Sequence, residues 1–253
     1  PALIAQTAAS LASAAPGRFV LGLGSSSNVI VESWNGVPFE EPYRRTRDVV
    51  RFVRAALTGE KVSAEYDTFA VHGFRLGVAA PVEPVPILIA GLREGMLRLA
   101  GREGDGAIIN WLSADDVTRV AGVVNDQGDG KEFFARIFVC PNPDREGVLA
   151  QSKRAIAAYV NVPVYRAFHP WLVRTDLLGK HWEIGDAGDR AGSLAAMPDE
   201  VVDQLIVHGT AEECRAHVQR YLDNGVTTSA LAIMPFGGID EMQAVRDRAP
   251  GNA

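Results

Sequence analysis

Cysteine is almost missing from this sequence: Cys140 and Cys214 are the only two, and they lie far apart. That count excludes a disulfide framework and suits a reduced, cytoplasmic protein. Positive charge is also short. Lys and Arg number 25 against 31 Asp and Glu, for a formal net charge of −6, which argues against a non-specific nucleic-acid binder. No apolar run approaches the ~20 residues of a membrane-spanning helix, and no signal-peptide pattern is present. The five histidines (His72, His169, His181, His208 and His217) fall at no metal-ligand spacing, so no metal site is expected. What remains is an ordinary globular composition, 47% apolar and 22% charged. A length of 253 residues admits one large α/β domain or two small ones.

The most informative stretch is Gly17-Arg-Phe-Val-Leu-Gly-Leu-Gly-Ser-Ser-Ser27. A short apolar run ending in glycines and hydroxyls reads as a buried parallel strand delivering a loop. Gly22 and Gly24 permit close approach of a ligand, and Ser25, Ser26 and Ser27 add hydroxyls to exposed amides. The loop is therefore a candidate cradle for an anionic group such as phosphate. A dinucleotide fold would start a helix directly after these glycines. Here Trp34, Asn35-Gly36 and Pro38 make the segment 29–41 a loop or broken helix instead.

Around that loop the chain alternates strands and helices. An Ala-rich helix over 3–14 precedes it. A strong amphipathic helix runs from Pro42 or Tyr43 to Leu57, with Val49, Val50, Val53, Ala56 and Leu57 on one stripe. Its five arginines, Arg44, Arg45, Arg47, Arg51 and Arg54, read as a solvated outer face. Residues 61–77 read as a β-hairpin outside the main architecture. Pro86-Ile-Leu-Ile-Ala-Gly91 is a second buried strand running into a helix from Arg93 to Ala100. A third strand spans 107–110 and ends at Trp111. Ser113 to Asp116 then forms a capping-box-like helix start, with the helix reaching Asn125. A fourth strand (133–139) and a helix (145–159) follow. Residues 161–198 lose the pattern and gather Tyr165, Phe168, Trp171 and Trp182, which reads as a lid or pocket wall or as simple packing under a long loop. A helix at 199–206 comes next. A Thr210–Glu213 capping box starts a helix that ends at Asn224-Gly225, then come a last strand at 228–233 and a final helix after Gly238.

Repeated β-α units predict a parallel sheet covered by helices, either an open doubly wound sheet or a closed barrel. Five such strands fit a barrel only if three more precede Pro1. Ordered motifs decide between the two. The opening Pro1-Ala-Leu-Ile-Ala-Gln-Thr, the Gly-Leu-Gly loop, Trp34-Asn-Gly-Val-Pro-Phe39, Pro86-Ile-Leu-Ile-Ala-Gly91, Leu99-Ala-Gly-Arg-Glu-Gly-Asp-Gly106 and Pro198-Asp-Glu-Val-Val202 leading to His208-Gly-Thr-Ala-Glu-Glu213 together resemble the luciferase-like flavin and deazaflavin oxidoreductases. No single motif is specific; their order over nearly the whole chain is.

The resemblance implies an α/β fold, a (β/α)8 TIM barrel of the bacterial luciferase-like type, entered here at about the fourth strand. A hairpin insertion and the aromatic-rich insert at 161–198 would lie within a single domain spanning 1–253. It also implies that the gene encodes roughly 70 further residues upstream, the approximate length of the earlier strand-helix units. Within the family the loop joined to Val29-Ile-Val-Glu-Ser-Trp-Asn-Gly36 is most similar to the deazaflavin (coenzyme F-420) branch. The implied activity is hydride transfer between cofactor C5 and a small organic substrate. An FMN-dependent monooxygenase served by a separate reductase is the alternative, and a non-catalytic barrel relative the second alternative.

By resemblance, the cofactor's phosphate and ribityl chain would lie on two loops, Gly24, Ser25 and Ser26 in one, Ala90, Gly91, Leu92 and Arg93 in the other. Trp111 and His169 are the substrate-pocket candidates. Ser27-Asn28 stands where related sugar-phosphate dehydrogenases carry an acidic residue, which puts that substrate in doubt. The family's residues beside the reactive ring would precede Pro1, so no catalytic residue is named. Cys140, with no base nearby in sequence, reads as a buried thiol. A homodimer without nucleic-acid or membrane partners completes the expectation.

Overall fold

The computed structural model describes residues 1–238 and residue 240. The chain divides into two compact units, Pro1–Ile108 with Gly122–Glu132, and Ile109–Ala121 with Phe133 onward. The helix expected after Gly238 lies outside the described residues. Among the described residues no helix is long and apolar enough to cross a membrane.

The first unit begins with α1 (Ala2–Ala14), whose buried face is all alanine: Ala5, Ala8, Ala9 and Ala12. Then come β1 (Leu21–Leu23), a π-helical turn at Val29–Trp34, α2 (Pro42–Ala56), the hairpin β2 (Val62–Glu65) and β3 (Ala70–Phe74), β4 (Ile87–Ala90) and α3 (Glu94–Glu103). β5 (Gly106–Asn110) starts in this unit, and its last two residues belong to the second. β1 pairs in parallel with β4, and β4 in parallel with β5. The hairpin forms its own antiparallel sheet.

Phe52 fastens the hairpin to α2. Fully buried, it makes edge contacts with Tyr66, Phe69 and Phe74 at ring-centroid distances of 6.3, 6.2 and 5.2 Å. Such pairs contribute about 0.5–1.5 kcal/mol each beyond their buried area. The same seam holds Asp48, 1% exposed, whose carboxylate accepts from the Thr68 amide and hydroxyl and from Arg47.

Two expectations are corrected in this unit. The strand of the Gly-rich loop is not buried: β1 is short and half-exposed, and Val20 is 42% exposed. A strand with one paired flank leaves its other side open, whatever its apolar content. Nor is the arginine face of α2 merely solvated. Arg51 forks onto Glu103, Arg54 reaches Asp105 and the Glu103 carbonyl, and Arg47 bridges Asp48 and Asp67. These pairs tie α2 to the end of α3 and to the hairpin.

The second unit contains α4 from Asp116 (to Asn125, the last residues falling in the first unit), β6 (Glu132–Cys140, from Phe133), α5 (Arg145–Val160), α6 (Pro163–Trp171), α7 (Thr175–Asp186), α8 (Arg190–Ala196) and α9 (Asp199–Leu205). β7 (Val207–His208), α10 (Ala211–Asp223) and β8 (Thr228–Ile233) complete it. β6 pairs in parallel with both β7 and β8. β7 is an extra strand. Two residues carry no readable alternation, so only pairing with Val139 and Cys140 reveals it.

The insert is the largest correction. Residues 161–198 form three helices rather than a long loop. Pro163 opens α6 at a position where its missing N–H costs nothing, and Asp189 caps α8 through the Gly192 amide at 2.8 Å. Leu178, Trp182 and Met197 enter one core with Trp111, Phe138 and Ile156. Short helices broken by glycine and proline have too few turns to show a period, so the pattern was invisible in the sequence.

Candidate functional site

The two loops assigned to a cofactor meet because their strands are neighbours. Register places Leu23 opposite Ile89, so Gly24 leaves β1 beside Ala90 leaving β4. The approach is close enough that a Cβ on Gly24 would stand 3.0 Å from the Ala90 Cβ. Both loops lie at the C-terminal ends of parallel strands.

The first loop keeps its polar backbone free. Ser26 takes a left-handed conformation (φ 60°), turning the chain after Ser25. The amides of Gly24, Ser25 and Ser26, and the Ser25 and Ser26 hydroxyls, have no hydrogen-bond partner among the described residues. Ser27 is engaged: its carbonyl accepts from Val31 and its hydroxyl from Ile30, starting the π-helical turn. Gly24 and Ser25 line a cavity of about 590 Å³ whose other walls include Phe39, Arg45, Thr46 and Thr68. Arg45 is fixed there by donating to the Thr68 carbonyl at 2.8 Å, with its guanidinium 5.0 Å from the Phe69 ring centre. Glu40, Glu41 and Asp67 also line the cavity, so its charge is mixed.

The second loop runs under the start of a helix. Gly91 is buried and donates to the Ile108 carbonyl at 3.1 Å. A Cβ there would meet the Leu97 nitrogen and the Met96 carbonyl carbon, both at 3.1 Å, so the backbone of α3 leaves no room for a side chain. Arg93 is the exposed, extended N-cap residue of α3, and no side chain caps the helix. The Arg93 carbonyl accepts from Leu97, which leaves the amides of the first turn without intrahelical acceptors at the positive end of the dipole.

Trp111 and His169 belong to the second unit, and their surroundings differ. Trp111 adopts φ 55° and is 2% exposed. It stacks on Phe138 at 4.0 Å and lies 4.6 Å from the Tyr159 ring. Its Nε1 and the Oδ1 of Asn110 have no hydrogen-bond partner among the described residues. Tyr165 lies edge-on to Tyr159 at 5.6 Å, and burial, reinforced by Tyr159, raises its phenol pKa. His169, expected to touch substrate, is fully buried beside Phe168, and neither ring nitrogen has a hydrogen-bond partner among the described residues. Burial first, and Arg174 second, push it down to about 3, so the ring is neutral near pH 7. Arg174 is itself buried, ion-paired with Asp116 and donating to the Gln204 Oε1 at 2.7 Å.

Sequence reasoning missed Arg45, Asn110 and Arg174, whereas Tyr165, one turn before His169 on α6, was read only as one of the aromatics of a lid or pocket wall. Cys140 and Cys214 are both buried, their thiols donating to the Phe236 and Gly209 carbonyls at 3.8 Å. Among the described residues no group of three His, Cys, Asp or Glu side chains is placed to hold a metal ion.

Comparison with known proteins bears on the whole arrangement. The luciferase-like monooxygenase family profile matches residues 1–228. The chain is 29% identical over 251 residues to the 5,10-methylenetetrahydromethanopterin reductase of Methanolobus tindarius, covering 93% of this chain and 74% of that one. It is 37% identical over 111 residues to the F-420-dependent glucose-6-phosphate dehydrogenase of Kineococcus radiotolerans, covering 43% and 32% respectively. Among solved structures, the coenzyme F-420-dependent tetrahydromethanopterin reductase of Methanopyrus kandleri superposes with a TM-score of 0.76 at 17% identity, over 97% of this chain and 76% of that one. That likeness gives the fold class, the α/β barrel of the luciferase-like type, and agrees with the parallel strands, each ending in a loop, found here. With 228 matched residues, the ordered motifs and this fold in agreement, the chain belongs to the luciferase-like monooxygenase family.

Proposed function

We propose that this protein is a coenzyme F-420-dependent oxidoreductase that moves a hydride between the deazaflavin and a small organic substrate. The reading rests on one observation above the others: Gly24 and Ala90 abut, joining two loops rich in free amides at the ends of adjacent parallel strands. Membership of the family and the F-420-dependent relatives support it.

The residues present fit a phosphate-bearing cofactor tail. The amides of Gly24, Ser25 and Ser26 are donors without acceptors among the described residues, and the first turn of α3, which follows Arg93, adds more. The cavity next to Ser25 has the size of an ordinary ligand pocket. When bound, the deazaflavin supplies the hydride at C5. The protein's part is to hold the tail on the two loops, orient the ring and exclude water. Trp111, directly after β5 and with no partner for its Nε1 among the described residues, is the candidate substrate contact of this reading. A homodimeric state and a cytoplasmic location belong to the same proposal; light scattering of the purified protein tests the first.

The test is a pair of fluorescence titrations, with reduced and oxidised F-420 and with FMN. F-420 is expected to bind and FMN not to. Gly24→Val is expected to weaken F-420 binding by roughly tenfold or more, about 1.4 kcal/mol, because its side chain fills the gap to Ala90. Tight FMN binding without F-420 binding overturns the proposal in favour of the monooxygenase reading.

A further inference from the structure

A second cavity, of about 550 Å³, lies wholly in the second unit, among α5, α6, α7 and α8. None of the residues assigned to the cofactor or the substrate lines it. Its floor is apolar and fixed. Ala157 and Leu194 contribute to it, and Trp182 is 7% exposed with its Nε1 donating to the Val160 carbonyl at 3.2 Å. Its rim carries three arginines, Arg154, Arg166 and Arg190.

The charges on that rim are not balanced. Arg166 is held by a two-pronged bond to Asp186 (2.7 and 2.6 Å) and sits 5.5 Å from the Trp182 ring centre. Among the described residues Asp186 is the only carboxylate lining the cavity, and Arg166 bonds to both of its oxygens. Arg154 and Arg190 are exposed and have no ion-pair or hydrogen-bond partner among the described residues. One wall of the cavity is hydrogen-bonded together. The buried His181 bonds to the Ser193 carbonyl (2.8 Å) and hydroxyl (2.9 Å) through Nδ1 and to Asn161 through Nε2 (3.2 Å), tying α7 to α8 and to the end of α5.

An aromatic and aliphatic floor under two uncompensated guanidinium groups is complementary to an anion with an apolar body. Guanidinium forks match phosphate oxygens in pairs, whereas a flat apolar floor adds affinity for the organic part. We propose that this cleft is a second ligand site, independent of the cofactor loops, which binds a phosphorylated small organic molecule through Arg154 and Arg190.

Calorimetric titration with phenyl phosphate and with inorganic phosphate tests it directly. The native chain is expected to bind phenyl phosphate more tightly than inorganic phosphate. The double variant R154A/R190A is expected to lose at least roughly tenfold in affinity, the scale of one lost charge-assisted hydrogen bond. Both arginines are exposed, so the fold is retained, which circular dichroism checks. The variant R75A/R215A removes the same charge from exposed positions elsewhere and is expected to bind like the native chain. No binding by the native chain at millimolar ligand, a smaller loss in R154A/R190A, or an equal loss in R75A/R215A overturns the site. F-420 affinity of R154A/R190A is expected to stay unchanged, which separates the failure of this proposal from the failure of the cofactor assignment.

Discussion

The Gly-rich loops of the first unit and the aromatic group of the second treat polar atoms in opposite ways. Gly24, Ser25 and Ser26 leave amides and hydroxyls without partners among the described residues, but where water satisfies them at almost no cost. Asn110, Trp111 and His169 have covered polar atoms without partners among the described residues. There each orphaned group costs about 1–3 kcal/mol. The first arrangement is open to a ligand and cheap to keep; the second is expensive and must be upheld by its surroundings. Stability measurements should therefore separate the two regions, and binding measurements should separate them the other way.

The largest effect is expected at Arg174. Replacing it by Leu leaves the largely covered Asp116 carboxylate without its cation, with only the Ser113 amide and hydroxyl still donating to it, at a cost of about 3 kcal/mol in urea unfolding. A loss below about 1 kcal/mol would mean that water reaches this pair and that the second region is not dry.

Gly91→Val comes next, because its side chain has only the backbone of α3 to push against. A destabilisation of about 1–3 kcal/mol is expected, with F-420 binding lost as well. Gly24→Val meets one methyl group instead and is expected to lose binding with a smaller stability cost. Equal stability losses at both positions would erase the contrast between a loop that packs and a loop that receives.

His169 gives the second region a pH signature. Its folded pKa, about 3, lies below the ordinary histidine value of 6.5, so the unfolded chain takes up the proton first. This contribution to stability is complete above about pH 6.5 and falls away as pH drops toward 3, by up to about 1.4 kcal/mol per unit. His169→Phe is expected to flatten the difference between unfolding free energies at pH 7 and pH 5. Matching slopes for the two proteins would place the ring in contact with water.

The smallest effect belongs to Arg51→Ala. Its bond to Glu103 is half-exposed, so at most about 1 kcal/mol is expected, shrinking with added salt.

Several of these features were legible in the chain and others were not. Thr210 and Glu213 form the reciprocal cap that their spacing announces, and Ser113 with Asp116 does the same. The hairpin at 61–77 and the buried β4 follow from alternation and from an apolar run. Asp48 was unreadable because a carboxylate on a helix is normally solvated, and only the folded hairpin brings Thr68 to it. The three helices of the insert escaped because Pro163, Pro170, Gly185 and Gly188 cut the period before it could repeat. His169 was read as a possible substrate contact, since nothing in its neighbours along the chain shows that it has no partner.

By itself the sequence determined the order of the strands and helices outside the insert and β7, two of the helix caps and the position of the two glycine-containing loops. All of these depend on residues within a few positions of one another, where steric preference and hydrogen-bond reach are local. Tertiary structure alone decided that Gly24 lies against Ala90, that His169 and Arg174 are buried, and that Arg154 and Arg190 share one cleft. Those facts depend on strand register and on which helix faces pack, and no local preference encodes either.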